Sequence, residues 1–237
     1  MRLSRGPLGL PGALSVIHLA ECESTQDVAW DCEPGTFVVA DRQTRGRGRG
    51  AGREWLSPPG GLYMSWRLGP LDPTGFALLG GLAVLRSLRH WGADVWLKWP
   101  NDCWVGRAKI AGVLPDCRWR GSECLGLVLG IGVNVRVPEL PEGAASLDRL
   151  CNEAPTVAEF GERLRTELRQ LLAVHEKVGV SGYLPEVRSH SLPPGSKIAY
   201  FVGTDRFEDE VVGLDDQGFL LVRQGGRLTA VDRLLPL

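Results

Sequence analysis

Leu125-Gly126-Leu127-Val128-Leu129-Gly130-Ile131-Gly132-Val133-Asn134-Val135 is an apolar run that closes on an amide side chain. The run is long and apolar enough to be a strand at the centre of a sheet. Upstream, Leu14–Leu19, Thr36–Ala40, Gly61–Leu68, Val95–Leu97 and Ile110–Leu114 read as further strands. Between them, Phe76, Leu79, Val84, Leu85 and Leu88 recur at helical spacing within Thr74–Trp91, which predicts a helix buried on most of its circumference despite Gly80-Gly81. Ser24 is expected to cap a short helix, with Asp27 bracing its free N–H groups.

Downstream of the central run, Pro138–Ala145 breaks the pattern. Thr156 and Glu159 then form a capping box ahead of the stripe Val157, Phe160, Leu164, Leu168, Leu171 and Leu172, which predicts one long helix. After Pro193-Pro194-Gly195 come short strand runs, Ile198–Val202, Val211-Val212, Phe219–Val222 and Thr229–Val231, separated by turn sequences. They suggest a small barrel-like β module of about 40 residues, too small for much independent stability. The expected architecture is α+β: a larger domain of strands and helices over 1–190 and a small β domain over 191–237.

The 237 residues carry 27 Lys+Arg against 28 Asp+Glu, so no global field draws the chain to nucleic acid or acidic lipid. The six cysteines show no C-x-x-C pair and no histidine at zinc-ligand spacing, which favours reduced thiols in a cytoplasmic protein. Prolines and glycines interrupt anything resembling a signal sequence after Arg2 and Arg5, and no run of about 18 apolar residues spans a membrane. His18, His90, His175 and His190 have no mutual spacing that argues for a metal or a triad.

Four polar clusters fall at strand ends and loops. Gly46-Arg47-Gly48-Arg49-Gly50-Ala51-Gly52-Arg53-Glu54-Trp55 combines three guanidinium forks, four glycines and an indole. Such a loop can wrap an anion and close an aromatic face over a ring, although arginine-glycine tracts also occur in RNA-binding segments and in solvated loops. Ser24-Thr25-Gln26 precedes it. Lys98-Trp99-Pro100-Asn101-Asp102 with Lys109-Ile110-Ala111-Gly112 follows, and Gly130-Ile131-Gly132-Val133-Asn134 comes last. Pro100-Asn101-Asp102 is also a good turn sequence, Trp96 suits a core, and glycines inside a strand mark close approach of another group. Together the clusters suit one cleft for a polar head group, an apolar body and a phosphate. There is no G-x-x-x-x-G-K-[ST], and Gly46-x-Gly48-x-x-Ala51 leads into Ser57-Pro58-Pro59-Gly60 instead of a helix.

In this combination and order, from about Ser24 to Asn134, the motifs resemble those of biotin protein ligases. The resemblance implies a mixed α/β catalytic domain followed by an SH3-like β-barrel domain. It also implies two reactions: biotin and MgATP form biotinyl-5′-adenylate and pyrophosphate, and a lysine of a biotin carboxyl carrier protein then displaces AMP. Ser24, Thr25 and Gln26 would bind the biotin ureido group, with Gln43 facing the ring and Gly46, Gly48 and Gly112 completing the biotin site. Arg47 and Arg49 would hold the biotin carboxylate and the α-phosphate, Trp55 would enclose the ligand, and Lys109 would bridge carboxyl oxygen and phosphate. Arg53, Asn101 and Asp102 fall to the ATP side near phosphates and metal, and Asn134 near the adenine. No residue set forms a metal site by motif, so Mg²⁺ would arrive with ATP.

Two departures stand out: the loop is one residue longer than the commonest form around Gly50-Ala51-Gly52, and Arg45 replaces what is often a small residue. The rival readings are a lipoate or octanoate ligase or transferase of the same fold, which lacks support from an arginine-glycine-glycine signature with a following histidine, and an RNA-binding module, which the balanced charge disfavours. The 23 residues before Ser24, broken by Pro7 and Pro11, leave no room for a DNA-binding domain, so specific DNA binding and membrane association are not expected. A homodimer is left open.

Overall fold

The computed structural model describes residues 15–50, 53–202, 205–231 and 233–234. Leu14 of the first expected strand, residues 1–13, and Ala51-Gly52 of the arginine loop lie outside them. The first strand, β1 (Val16–Cys22), leads to α1 (Thr25–Trp30), then β2 (Phe37–Gln43), β3 (Gly61–Leu68), α2 (Phe76–His90), β4 (Trp96–Lys98), β5 (Asp102–Val105), β6 (Ala108–Arg120) and β7 (Glu123–Asn134). These strands form one seven-stranded sheet in the order β1-β2-β3-β7-β6-β5-β4. Only β1 and β2 run parallel, so the sheet is mixed, and β7 holds the centre as its apolar length predicts.

Alternation along β7 divides the sheet's two faces. Leu127, Leu129, Ile131 and Val133 point into the main core with Met64 and Trp66 of β3 and Leu79, Leu82 and Leu85 of α2. Val128 belongs to the opposite face, where Ala29 and Trp30 of α1 and Val38 of β2 form a second, smaller cluster. Gly80 resolves the apparent weakness of α2: a Cβ there would meet Val113 Cγ1 at 2.7 Å, so the glycine lets the helix sit close on β6. Each leucine buried by that contact contributes roughly 1.5–3 kcal/mol.

The long helix is α3 (Val157–Val178), and its capping box forms as read: Glu159 N donates to Thr156 Oγ1 at 3.2 Å, and Thr156 N to Glu159 Oε2 at 2.8 Å. A further helix, α4 (Leu184–His190), is not foreseen from sequence, being short with a proline in its first turn. Glu167 of α3 ties the helices together by pairing with Arg86 at 3.3 Å and Arg163 at 2.6 Å, while Arg86 also holds Glu186 of α4. Among the described residues no helix is long and apolar enough to cross a membrane.

The chain ends in a five-stranded antiparallel sheet of β8 (Lys197–Val202), β9 (Asp205–Leu214), β10 (Leu220–Gln224), β11 (Arg227–Val231) and β12 (Arg233–Leu234), ordered β11-β10-β9-β8-β12. β9 is far longer than the Val211-Val212 expectation, because Asp205–Glu210 is held by backbone pairing to β8 although its side chains are mostly charged. Ile198, Tyr200, Val211, Leu214 and Leu220 join the same apolar cluster as α2 and α4.

Candidate functional site

The face of β7 opposite the main core continues from Val128 through Gly130 and Gly132 to Asn134, and here the strand carries no bulk. A Cβ at Gly130 would lie 2.7 Å from Gln26 Cδ, and one at Gly132 2.6 Å from the Trp55 indole. The two glycines therefore make a floor on which a side chain from α1 and one from the arginine loop rest directly against the backbone. Gly112 on β6 does the same for Lys109 and Trp55, with 3.2 Å from a Cβ position to Lys109 Nζ.

Above this floor opens a cleft of about 450 Å³ whose walls include Ser24, Thr25, Gln26, Gln43, Arg47, Gly48, Arg49, Trp55, Asn101, Lys109 and Gly112. One end is a buried hydrogen-bond network. Gln43 Oε1 accepts from Thr25 N at 2.8 Å and Thr25 Oγ1 at 3.1 Å, Gln43 Nε2 donates to Ser57 Oγ at 2.9 Å, and the Thr25 and Ser65 hydroxyls are 2.8 Å apart. Gln26 Nε2 donates to Leu114 O at 2.9 Å. Ser24 occupies the N-cap position of α1 but makes no side-chain cap bond, contrary to expectation, and lines the cleft instead.

The charged end is built around Arg47 and Lys109. Asp27, expected to brace the start of α1, ion-pairs with Arg47, whose Nη1 also lies 3.8 Å from Asp116 Oδ2. Trp30 Nε1 fixes that same Asp116 oxygen at 2.9 Å. Lys109 Nζ sits 2.8 Å from Asp102 Oδ1 and 5.1 Å from the centre of the Trp55 ring. Lys98, buried with its Nζ 4.5 Å over the Trp104 ring, has its pKa lowered by burial, against the opposing pull of Asp102 and with a smaller push from the Lys109 charge. Pro100-Asn101 does form a turn, but Asp102 begins strand β5, which the sequence reading takes as loop; its side chain is where Lys109 needs a counter-charge.

Trp55 and Lys109 are also walls of a second cleft, of about 840 Å³, with Asn134, Val137, Glu142 and Ala144. The indole Nε1 of Trp55 is buried against Gly132 and has no acceptor among the described residues. Lys109 is anchored to this side by its backbone, N to Gly143 O at 2.8 Å and O from Ala145 N at 2.9 Å, while Asn134 Nδ2 donates to Ala145 O at 3.0 Å. The sequence-predicted set thus divides. Asn134 faces the second cleft, Asp102 stands behind Lys109, and Gly46 and Arg53 line a neighbouring opening with Arg45 and Asp116. Gly46 nonetheless shapes the loop, since a Cβ would meet Trp55 O at 2.3 Å. Ser65 and Trp30 carry no signal in the sequence because each sits in a run that reads only as strand or helix, and Asp116 none because the strand expected there stops at Leu114, whereas β6 continues to Arg120.

A cationic, glycine-floored cleft thus meets a second one at an indole and a lysine. The family model for the biotin/lipoate A/B protein ligases matches residues 20–134, and the chain belongs to this family. It is 33% identical over 234 residues to the bifunctional ligase/repressor BirA of Escherichia coli, covering 90% of this chain and 70% of that protein. Identity to the biotin–[acetyl-CoA-carboxylase] ligase of Mycobacterium tuberculosis is 31% over 236 residues, covering 93% and 83%. The solved biotin protein ligase of Aquifex aeolicus in complex with biotin and ATP superposes with a TM-score of 0.81 at 30% identity, covering 92% of this chain and 95% of that one.

Proposed function

We infer that the protein is an ATP-dependent ligase that converts biotin to biotinyl-5′-adenylate and passes the biotinyl group to a lysine of a biotin carboxyl carrier domain, as in acetyl-CoA carboxylase. The observation that carries this reading is the position of Trp55 and Lys109, which both clefts share. A carboxylate from the first cleft and an α-phosphate from the second would meet at the Lys109 ammonium. Both reactants are anionic, so their approach needs fixed cations, and Arg47, Arg49 and Lys109 supply them. The carboxylate oxygen forms a bond to the α-phosphorus as the bond to the β-phosphate oxygen breaks and pyrophosphate leaves. In the second reaction a neutral lysine amine adds to the acyl carbon, AMP departs, and the amine loses its proton.

The residue roles follow from that meeting point. Ser24, Thr25, Gln26, Gln43 and Ser65 offer the ureido group a polar pocket, and Gly130, Gly132 and Gly112 let ligand and indole lie flat. The buried Trp55 donor suits an acceptor on the adenylate, because an unpaired buried donor costs about 1–3 kcal/mol. Asn134 falls to the nucleotide side and Arg53 to the loop's outer edge. Asp102 and Asn101 flank the phosphates, and Mg²⁺ would travel with them. Residues 1–190 serve as the catalytic domain and 191–237 as an SH3-like module packed against it. The setting is cytoplasmic, in keeping with six free cysteines.

Intact-mass measurement of a carrier domain incubated with the protein, MgATP and equal amounts of biotin and lipoate tests the reading: a single biotinyl addition is expected, and lipoyl addition in its place would overturn it. Gly130→Ala is expected to raise the KM for biotin roughly tenfold by displacing Gln26, since misplacement by about 1 Å is costly in such sites. A titration of biotin-dependent pyrophosphate release checks this, and an unchanged KM in a folded variant removes Gln26 from the biotin pocket.

A further inference from the structure

Trp99 lies between the site and the C-terminal sheet. Its side chain is buried, and Nε1 donates to Gly218 O at 2.8 Å across a long stretch of chain. The turn that carries this carbonyl is held from several directions. Gly218 N donates to Asp215 O at 3.1 Å, and Asp215 Oδ1 accepts from Gln217 N and Phe219 N at 2.9 and 2.8 Å. Arg188 of α4 donates to Leu214 O at 2.9 Å and Asp215 O at 3.2 Å. Gly218 itself, at φ +85°, is pressed against α2, where a Cβ would come within 2.4 Å of Leu78 Cδ1.

On the other side of Trp99 the chain enters the site at once. Pro100 has a ring-fixed φ. Asn101 then exchanges two hydrogen bonds with Val113, O from Val113 N at 2.8 Å and Nδ2 to Val113 O at 2.7 Å. Asp102 follows, opposite Gly112, with Oδ1 2.8 Å from Lys109 Nζ. Few soft torsions separate the Gly218 carbonyl from the carboxylate that aims Lys109.

We propose that Trp99 is a positioning residue through which the turn at Gly218 of the C-terminal sheet sets the Asp102–Lys109 pair. The inference rests on the reading of Lys109 given above. It assigns the C-terminal sheet a part in the chemical step that needs no contact between that sheet and either substrate.

The test is Trp99→Phe, which keeps an aromatic ring and removes the N–H. Leaving the Gly218 carbonyl unpaired should lower kcat for biotin-dependent pyrophosphate release about tenfold, with the KM for biotin changed less than about twofold. Placed in a Lys109→Ala background, the same substitution should cost less than about twofold more, because residues acting through one group are not additive. A parental kcat in Trp99→Phe overturns the proposal, and so does an equal tenfold loss in the Lys109→Ala background, which marks a general loss of structure. If Lys109→Ala alone is unimpaired, the reading of Lys109 fails instead. Should Trp99→Phe not fold by circular dichroism, Gly218→Ala carries the same measurements, since its Cβ drives the turn off Leu78 and moves the carbonyl.

Discussion

Lys109→Ala is expected to slow formation of biotinyl-adenylate by about 10²–10³-fold while the protein stays folded, the usual cost of removing a group aimed at charge that develops in the transition state. Lys109 is only partly buried, and Asp102 is its nearest counter-charge at 2.8 Å. In the variant Asp102 keeps its negative charge beside a site that must hold an α-phosphate, so the loss includes new repulsion as well as a missing cation. Single-turnover pyrophosphate release with saturating biotin and MgATP measures the effect. A rate near the parental one would place the reacting carboxylate elsewhere, and the junction of the two clefts would lose its meaning.

Arg49→Gly is expected to separate synthesis from retention. Arg49 lines the first cleft in a loop where Gly46, Gly48 and Gly50 already loosen the backbone. Another glycine removes the guanidinium fork and adds conformational freedom to the segment that has to close over the adenylate. Synthesis should continue, since Lys109 and Arg47 remain. The adenylate should escape, so that lysines of an unrelated protein such as serum albumin become biotinylated severalfold more than with the parent enzyme, as read by mass spectrometry. If the variant makes adenylate and labels the bystander no more than the parent, retention lies with Arg47 or with Arg53. Arg47 is the stiffer of these, braced by Asp27 and near Asp116.

Much of this arrangement is legible before any coordinates. The central strand, its neighbours and the capped helix α3 are visible because their apolar residues follow the periods that burial imposes. β5 and the first half of β9 are not, because Asp102 and Asp205–Glu210 enter strands for backbone pairing and ion pairs that no hydropathy pattern announces. In the site, the loop arginines, Lys109 and the Ser24–Gln26 cluster stand out as polar groups where a core pattern breaks off. Ser65 does not, since one hydroxyl within β3 looks like ordinary alternation. Asp27 and Asp116 are a different case: Asp27 reads as bracing a helix start and Asp116 as a surface carboxylate until the fold brings α1 and β6 together at Arg47.

The bare floor of β7 bears on how the pocket could be recut for other acids. A designer usually enlarges a binding site by trimming a side chain beneath the ligand, but at Gly130 and Gly132 nothing remains to trim, and their flanking residues Leu129, Ile131 and Val133 face the main core. Depth is therefore already at its limit, set by the backbone of the sheet. A longer or bulkier acid has to gain its room sideways, from Gln26 or Ser65, and even a single methyl group added to the floor would push Gln26 or Trp55 aside before it met a ligand.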